Sequence, residues 1–179
     1  ITRAKKQIVE IVDVEKVLVE VSGVTNEVSD ECISQYEVDT KGQTFFIVAA
    51  DDSVVARSQL KSVFEKLGLN HKILNNGKEA LDFLIKLADE ADQGGESIAD
   101  RVLMVISDIE MPVMDGYTLT TSIRKDERLK DIFVVLNSSL SGGFNDSLTE
   151  KVGANMFISK WHSDELAQTI ISQIELHQK

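Results

Sequence analysis

Ser107-Asp108-Ile109-Glu110-Met111-Pro112-Val113-Met114-Asp115-Gly116-Tyr117 is the stretch that decides how this chain folds. It follows an unbroken apolar run, Val102 to Ile106, and carries the only proline of the 179 residues. A run that is apolar at every position suits a strand covered on both faces, as in a parallel sheet. Here that strand ends on a carboxylate and breaks into a Pro/Gly loop. Parallel α/β proteins place their chemistry at the carboxyl ends of their strands, so Asp108 falls where a reactive group is expected.

The pattern on either side of this stretch is strand followed by helix, repeated. Phe45 to Ala50 reads as a first strand, followed by a helix capped at Ser53 with Val55, Leu60, Val63, Phe64 and Leu67 available for burial. His71 to Asn75 is a second strand. Asn76, with Glu79 three residues on, opens a helix that buries Ala80, Leu81, Leu84, Ile85 and Ala88. Ala91 to Asp100 is polar and contains glycine, and reads as a solvated insertion. After the Val102–Ser107 strand come a helix over about 117–125, a strand over 132–136, and a short helix whose capping box would be Ser147 with Glu150. A strand over 156–158 and a helix over 163–177 complete the series. Five such units predict an α/β fold, a doubly wound five-stranded parallel sheet with right-handed crossovers.

That topology collects particular side chains at one edge. Asp51 and Asp52 follow the first strand, Asp108 the third, Ser138 and Ser139 the fourth, and Lys160 the fifth. Singly, each has an ordinary explanation: an acidic pair complements a helix N-terminus, serines form turns, a lysine is solvated. Together at one edge they form a candidate site. Clustered carboxylates repel, and a hard divalent cation such as Mg²⁺ relieves the repulsion through oxygen ligands. A carboxylate held there can attack a phosphoryl donor to give an acyl phosphate, whose negative charge needs the metal, an ammonium and a hydroxyl or N–H donor around it.

Ala50-Asp51-Asp52-Ser53, the segment from Asp108 to Gly116, Val134 to Ser139, and Phe157-Ile158-Ser159-Lys160 resemble the motifs of response-regulator receiver domains in order and spacing. The resemblance covers roughly residues 43–177. It implies strand order 2-1-3-4-5, a flavodoxin-like (CheY-like) arrangement. It also implies phosphorylation of Asp108 by a histidine kinase, Mg²⁺ held by Asp52, Asp108 and the backbone carbonyl of Glu110 with Asp51 in support, and phosphoryl oxygens held by Ser138 and Lys160. Ser138 and Phe157 would be the switch pair, and the fourth helix, fifth strand and fifth helix the output face. Two positions depart from the family pattern. Trp161 stands where receivers commonly have a cis proline, and a cis non-proline bond costs about 2.5–4 kcal/mol. Glu110 and Leu140 stand where dephosphorylation is tuned, and neither suits orienting an attacking water, so slow self-dephosphorylation is expected.

Residues 1–39 differ in character. Gln7 to Val12 alternates as a strand would, and Val14, Val17, Leu18 and Val21 form one helical stripe behind a possible cap at Asp13. Gln7 to Leu18 resembles the C-terminal end of a CheW-type coupling domain. With the serine-rich loop from Ser138 to Asn145, the whole is similar to the C-terminal half of the CheV-type chemotaxis family, which fuses coupling and receiver domains. The division expected is a coupling-domain remnant over 1–21, a polar linker over 22–42 and a receiver over 43–179. The chain opens at Ile1 and reads as a piece of a longer protein. The helical extension is a candidate docking or dimerising element. The partners implied are a CheA-type histidine kinase and, through the missing coupling domain, the chemoreceptor array.

Bulk properties exclude other classes. The formal charge of −11 is spread over the chain, with 4 basic and 9 acidic residues in 1–39 and no basic stripe anywhere. Nucleic acid and anionic membrane are therefore poor partners. No apolar run is long enough to span a bilayer. The single cysteine, Cys32, allows no internal disulfide and fits a reducing compartment, which suits a cytoplasmic location. An aspartate-nucleophile phosphohydrolase of the haloacid dehalogenase type uses a similar residue set, but places its nucleophile first and its acidic pair last, the reverse of the order here. A receiver-like scaffold that only binds partners is the other alternative, and metal binding without an acyl phosphate would mark it.

Overall fold

The computed structural model describes residues 2–4, 7–9, 28–29, 45–139, 143–160 and 162–178. At the N-terminus β1 (Thr2–Ala4) pairs antiparallel with β2 (Gln7–Val9), with Arg3 opposite Ile8. The strand expected from Gln7 thus has a partner just before it that the sequence pattern did not reveal. The helix expected over 13–21, the residues of the 22–42 linker other than Val28 and Ser29, Leu140 and Trp161 lie outside the described residues.

The main body is a five-stranded parallel sheet: β3 (Phe46–Ala50), β4 (His71–Leu74), β5 (Val102–Asp108), β6 (Phe133–Ser138) and β7 (Met156–Ser159). Their order is β4-β3-β5-β6-β7, or 2-1-3-4-5 counted within the sheet. The helices are α1 (Val54–Lys66), α2 (Gly77–Gly94), α3 (Gly116–Lys125), α4 (Gly143–Val152) and α5 (Ser163–His177), with a 3-10 turn at Ile98–Asp100. β5 is buried along its whole length, as its unbroken apolar run requires. One apolar cluster joins Ile47, Ala49, Met104 and Ile106 to Leu60, Val63 and Phe64 of α1 and Leu166, Ala167, Ile170 and Ile174 of α5. The other joins Val48, Ala50, Val105 and Val134 to Ala80, Leu84 and Ala88 of α2 and Leu119 and Ile123 of α3. Each fully buried Leu, Ile or Phe contributes about 1.5–3 kcal/mol, so two such layers hold the sheet edges in register.

Helix starts follow their caps. The Ser53 hydroxyl accepts from the Ala56 N–H at 3.3 Å, Asn76 from Glu79 at 2.9 Å, and Asp115 from Thr118 at 2.7 Å. Glu79 reciprocates by accepting from the Asn76 side chain and from the Asn75 backbone; those bonds to Asn75, then to Asn76, hold its carboxyl below the usual range.

Two expectations need correction. The insertion at 91–100 is not a plain loop. α2 continues through Gly94 because Ala91 prolongs the Ala80-Leu84-Ala88 stripe, and Ala91 is buried. Gly95, at φ 72°, ends the helix in the left-handed conformation that glycine adopts without penalty. Ser97 and Asp100 then form a capping box on the 3-10 turn, which buries Ile98. The polar side chains that suggested a loop lie on the outer face, where Arg128 reaches Asp89 at 2.6 Å and Asp92 at 3.6 Å. The second correction concerns α4, which begins at Gly143, so Ser147 and Glu150 lie inside it rather than capping it.

Arg124 pins the far side of the molecule. From α3 its guanidinium donates to the carbonyls of Gly153 (2.7 Å), Lys130 (2.8 Å) and Ile132 (2.9 Å) and to Asn155 Oδ1 (2.7 Å). Asn155 Oδ1 also accepts from the Val134 N–H, so α3, β6 and the turn before β7 share one knot.

Candidate functional site

Each functional side chain stands where a strand runs out. β3 ends at Ala50, and Asp51 turns the chain toward α1: its Oδ1 accepts from the Ser53 N–H at 2.8 Å, and its backbone carbonyl accepts from Arg57 at 2.8 Å. Asp108 is the last residue of the central strand β5. Lys160 follows β7, and its N–H donates to the Ser138 carbonyl at 2.8 Å, fixing where the lysine leaves the sheet.

The side chains converge. Lys160 Nζ lies 3.0 Å from Asp51 Oδ2 and 3.1 Å from Asp108 Oδ1. All three groups are buried, Asp51 at 1%, Asp108 at 4% and Lys160 at 6% exposure. Asp52 is exposed, yet one carboxylate oxygen from each of Asp51, Asp52 and Asp108 fits within 4.8 Å of the others. Three carboxyl groups thus face one ammonium. Burial, the larger influence, pushes Asp108 up to about 7; Lys160 opposes the shift, while Asp51 and Asp52 add to it. A carboxylate raised this far while touching an ammonium is under-compensated. An oxygen-donor set of this kind, with one open acid and two buried ones, fits a small hard cation.

The loop after β5 holds Asp108 by its backbone. The Ser107 hydroxyl donates to the Asp108 carbonyl at 2.8 Å, and the Gly116 N–H donates to Ile109 at 2.9 Å. A Cβ on Gly116 would lie 2.2 Å from the Asp108 carbonyl oxygen, so only glycine permits this approach. Val113 lies in the same loop with φ 69°, at the centre of a γ-turn closed by the Met114 N–H donating to the Pro112 carbonyl at 2.7 Å, a rare and strained conformation for a β-branched residue. It is 84% exposed, so no packing repays that strain.

Of the residues picked from sequence, Asp51, Asp52, Asp108 and Lys160 are brought together. Glu110 and Ser139 line the open mouth with Asp52, Ser53, Val54 and Val55. Ser138 is buried at the end of β6, paired in register with Ser159. Phe157 is half-buried on β7, opposite Leu136. Two contributors escaped the sequence reading. Arg57 sits one turn into α1, with no signal beyond its spacing from Asp51. Asn137 interrupts the apolar β6; it is buried, and its amide donates to the Ile158 carbonyl at 3.1 Å beside Lys160. A polar residue inside an apolar strand is a signal that could have found it.

A 2-1-3-4-5 parallel sheet with this acid and lysine cluster at its carboxyl edge defines a CheY-like α/β domain. Residues 47–171 match the response regulator receiver domain, and the chain belongs to that family. It is similar to chemotaxis protein CheV1 of Helicobacter pylori, 27% identical over 171 residues that cover 95% of this chain and 50% of that protein. The chain spans about half the length of the curated relatives it matches. Among solved structures, Vibrio cholerae chemotaxis protein CheY4 shares the fold, with TM-score 0.59 and 21% identity over 73% of this chain and 98% of that one. A Borrelia burgdorferi CheX-CheY-BeF3-Mg+2 complex matches with TM-score 0.58 and 28% identity, covering 72% of this chain and 87% of that one. The chain is thus a receiver related to the CheY and CheV chemotaxis regulators, as its motifs imply. Among the described residues no helix is long and apolar enough to cross a membrane.

Proposed function

We propose that Asp108 is a phosphoacceptor and that the chain relays or absorbs phosphoryl groups in bacterial chemotaxis. One observation carries the reading: the buried carboxyl of Asp108 ends the central strand, 3.1 Å from Lys160 and beside two further acids. An Asp108 oxygen forms a bond to phosphorus as the bond from phosphorus to the donor's leaving atom breaks, and the leaving group carries away that electron pair. Asp51, Asp52, Asp108 and the Glu110 carbonyl would hold Mg²⁺, which supplies charge neutralisation for the incoming phosphoryl group. Lys160 exchanges its contact with Asp108 for one with a phosphoryl oxygen while keeping Asp51. Ser138 supplies a hydroxyl from the end of β6, and Phe157 follows it as the second half of the switch.

The donor is a CheA-type histidine kinase, and the likeness to CheV supports placement in the cytoplasm beside the chemoreceptor array. On this reading residues 1–21 end a CheW-like coupling domain, 22–42 link it, and 43–179 are the receiver. The chain assists only its own phosphorylation and dephosphorylation. Glu110 at the mouth offers a carboxylate that phosphoryl charge repels, which supports a long-lived acyl phosphate.

Intact mass after incubation with Mg²⁺ and acetyl phosphate tests this. One phosphoryl adduct is expected, absent in Asp108→Asn and without Mg²⁺. No adduct on a folded, Mg²⁺-binding protein would instead make it a scaffold.

A further inference from the structure

The α1–α5 face of the receiver carries an occupant from outside the domain. Val28 is 1% exposed and belongs to the same apolar cluster as Phe45, Leu60 and Val63. Its carbonyl accepts from Lys66 Nζ at the end of α1. The next residue, Ser29, donates its N–H to Asp164 Oδ1 at 2.8 Å, in the first turn of α5. Two consecutive residues therefore share the apolar cluster that α1 and α5 contribute to and make one polar contact to each helix. The polarity is matched: a cation meets the carbonyl and a carboxylate meets the N–H.

Chain connectivity does not force this placement. Fifteen residues separate Ser29 from Phe45, and a chain of that length reaches about 50 Å when extended. A valine that could lie anywhere within that reach is buried against the receiver instead, which makes the seat a property of the side chains lining it. Leu60, Val63 and Leu166 of the same cluster also line a small pocket with Asn137 and Lys160.

We propose that the α1–α5 groove is a docking surface whose resident occupant is this chain's own Val28–Ser29 segment, which acts as a latch holding the upstream part of the protein on the receiver. The assignment is independent of any phosphorylation of Asp108.

Hydrogen exchange on the 179-residue chain and on Val28→Asp tests it. The variant is expected to lose protection in α1 and α5 by tenfold or more, and to melt about 4–8 °C lower, the shift for losing one buried valine in a domain of this size. A synthetic peptide spanning residues 22–35, added in trans, should restore protection saturably, and the same peptide carrying Val28→Asp should not. Asp164→Asn, a change at a half-buried residue outside the apolar cluster, should lose protection in the same two helices to a smaller degree. Unchanged exchange in both variants would overturn the latch. So would loss of protection spread evenly over all helices, or failure of the wild-type peptide to restore it in Val28→Asp.

Discussion

Two polar clusters in this molecule are built from similar parts and stand in opposite states. Around Arg124, one half-buried cation donates to four oxygen acceptors at 2.7–2.9 Å, and partial burial lowers its pKa. Around Asp108, one ammonium pairs with Asp51 and Asp108 while Asp52 adds a third carboxyl group beside them, and Asp108 is raised to about 7. The first cluster is closed and does structural work only. The second is short of positive charge and is stable only until something brings more. Excess like charge in a buried, open-mouthed site distinguishes a group waiting for a ligand from one that has its partners.

The largest expected effect inverts the usual sign of mutating a buried ion pair. The folded chain binds a proton on Asp108 between the ordinary carboxylate value of 3.8 and about 7, where the unfolded chain does not. Stability from this group is therefore full below the lower value and is lost as pH rises through about 7. Asp108→Asn removes that loss, so without metal it should stabilise the fold at pH 8 by up to about 4 kcal/mol and hardly at pH 4. Urea melts at both pH values check this; destabilisation at pH 8 would erase the contrast between the clusters. Saturating Mg²⁺ should stabilise the native chain at pH 8 and leave Asp108→Asn little changed.

Gly116→Ala comes next. Its methyl group meets backbone rather than a flexible side chain, so the Asp108 carbonyl must move, at a cost of about 3 kcal/mol. Chemical denaturation gives the energy, and weakened Mg²⁺ binding by calorimetry would tie the loss to the site. Arg124→Ala should cost about 2 kcal/mol by removing four charge-assisted hydrogen bonds, with Arg124→Lys recovering little because an ammonium lacks the planar fork. Equal Mg²⁺ affinity in that variant would show the closed cluster to be separate from the open one. The smallest effect is Val113→Gly, expected to raise stability by at most about 1 kcal/mol through relief of the γ-turn at φ 69°. Thermal melts suffice to see it.

The sheet order and the four residues Asp51, Asp52, Asp108 and Lys160 were legible because they follow from alternation and topology: every strand end points to one edge. The end of α2 was not, because polarity on its outer face masked Ala91 on the inner one. Arg57 and Asn137 were hidden for a different reason. Arg57 acts by reaching back from α1 to the Asp51 carbonyl, and Asn137 by a contact with Ile158 on the neighbouring strand, and no apolar period encodes either. Val28 is the extreme case, one of several valines in a largely polar stretch, whose burial is decided by helices that begin 26 and more residues later.

That valine has a consequence for any rival. A covalently tethered ligand presents itself at an effective concentration in the millimolar range for a flexible connection. A free protein seeking the α1–α5 face therefore competes with a neighbour that never diffuses away, and its apparent affinity falls by the fraction of time the groove is vacant. Selectivity at that face is set partly by how firmly Lys66 and Asp164 hold two residues of backbone.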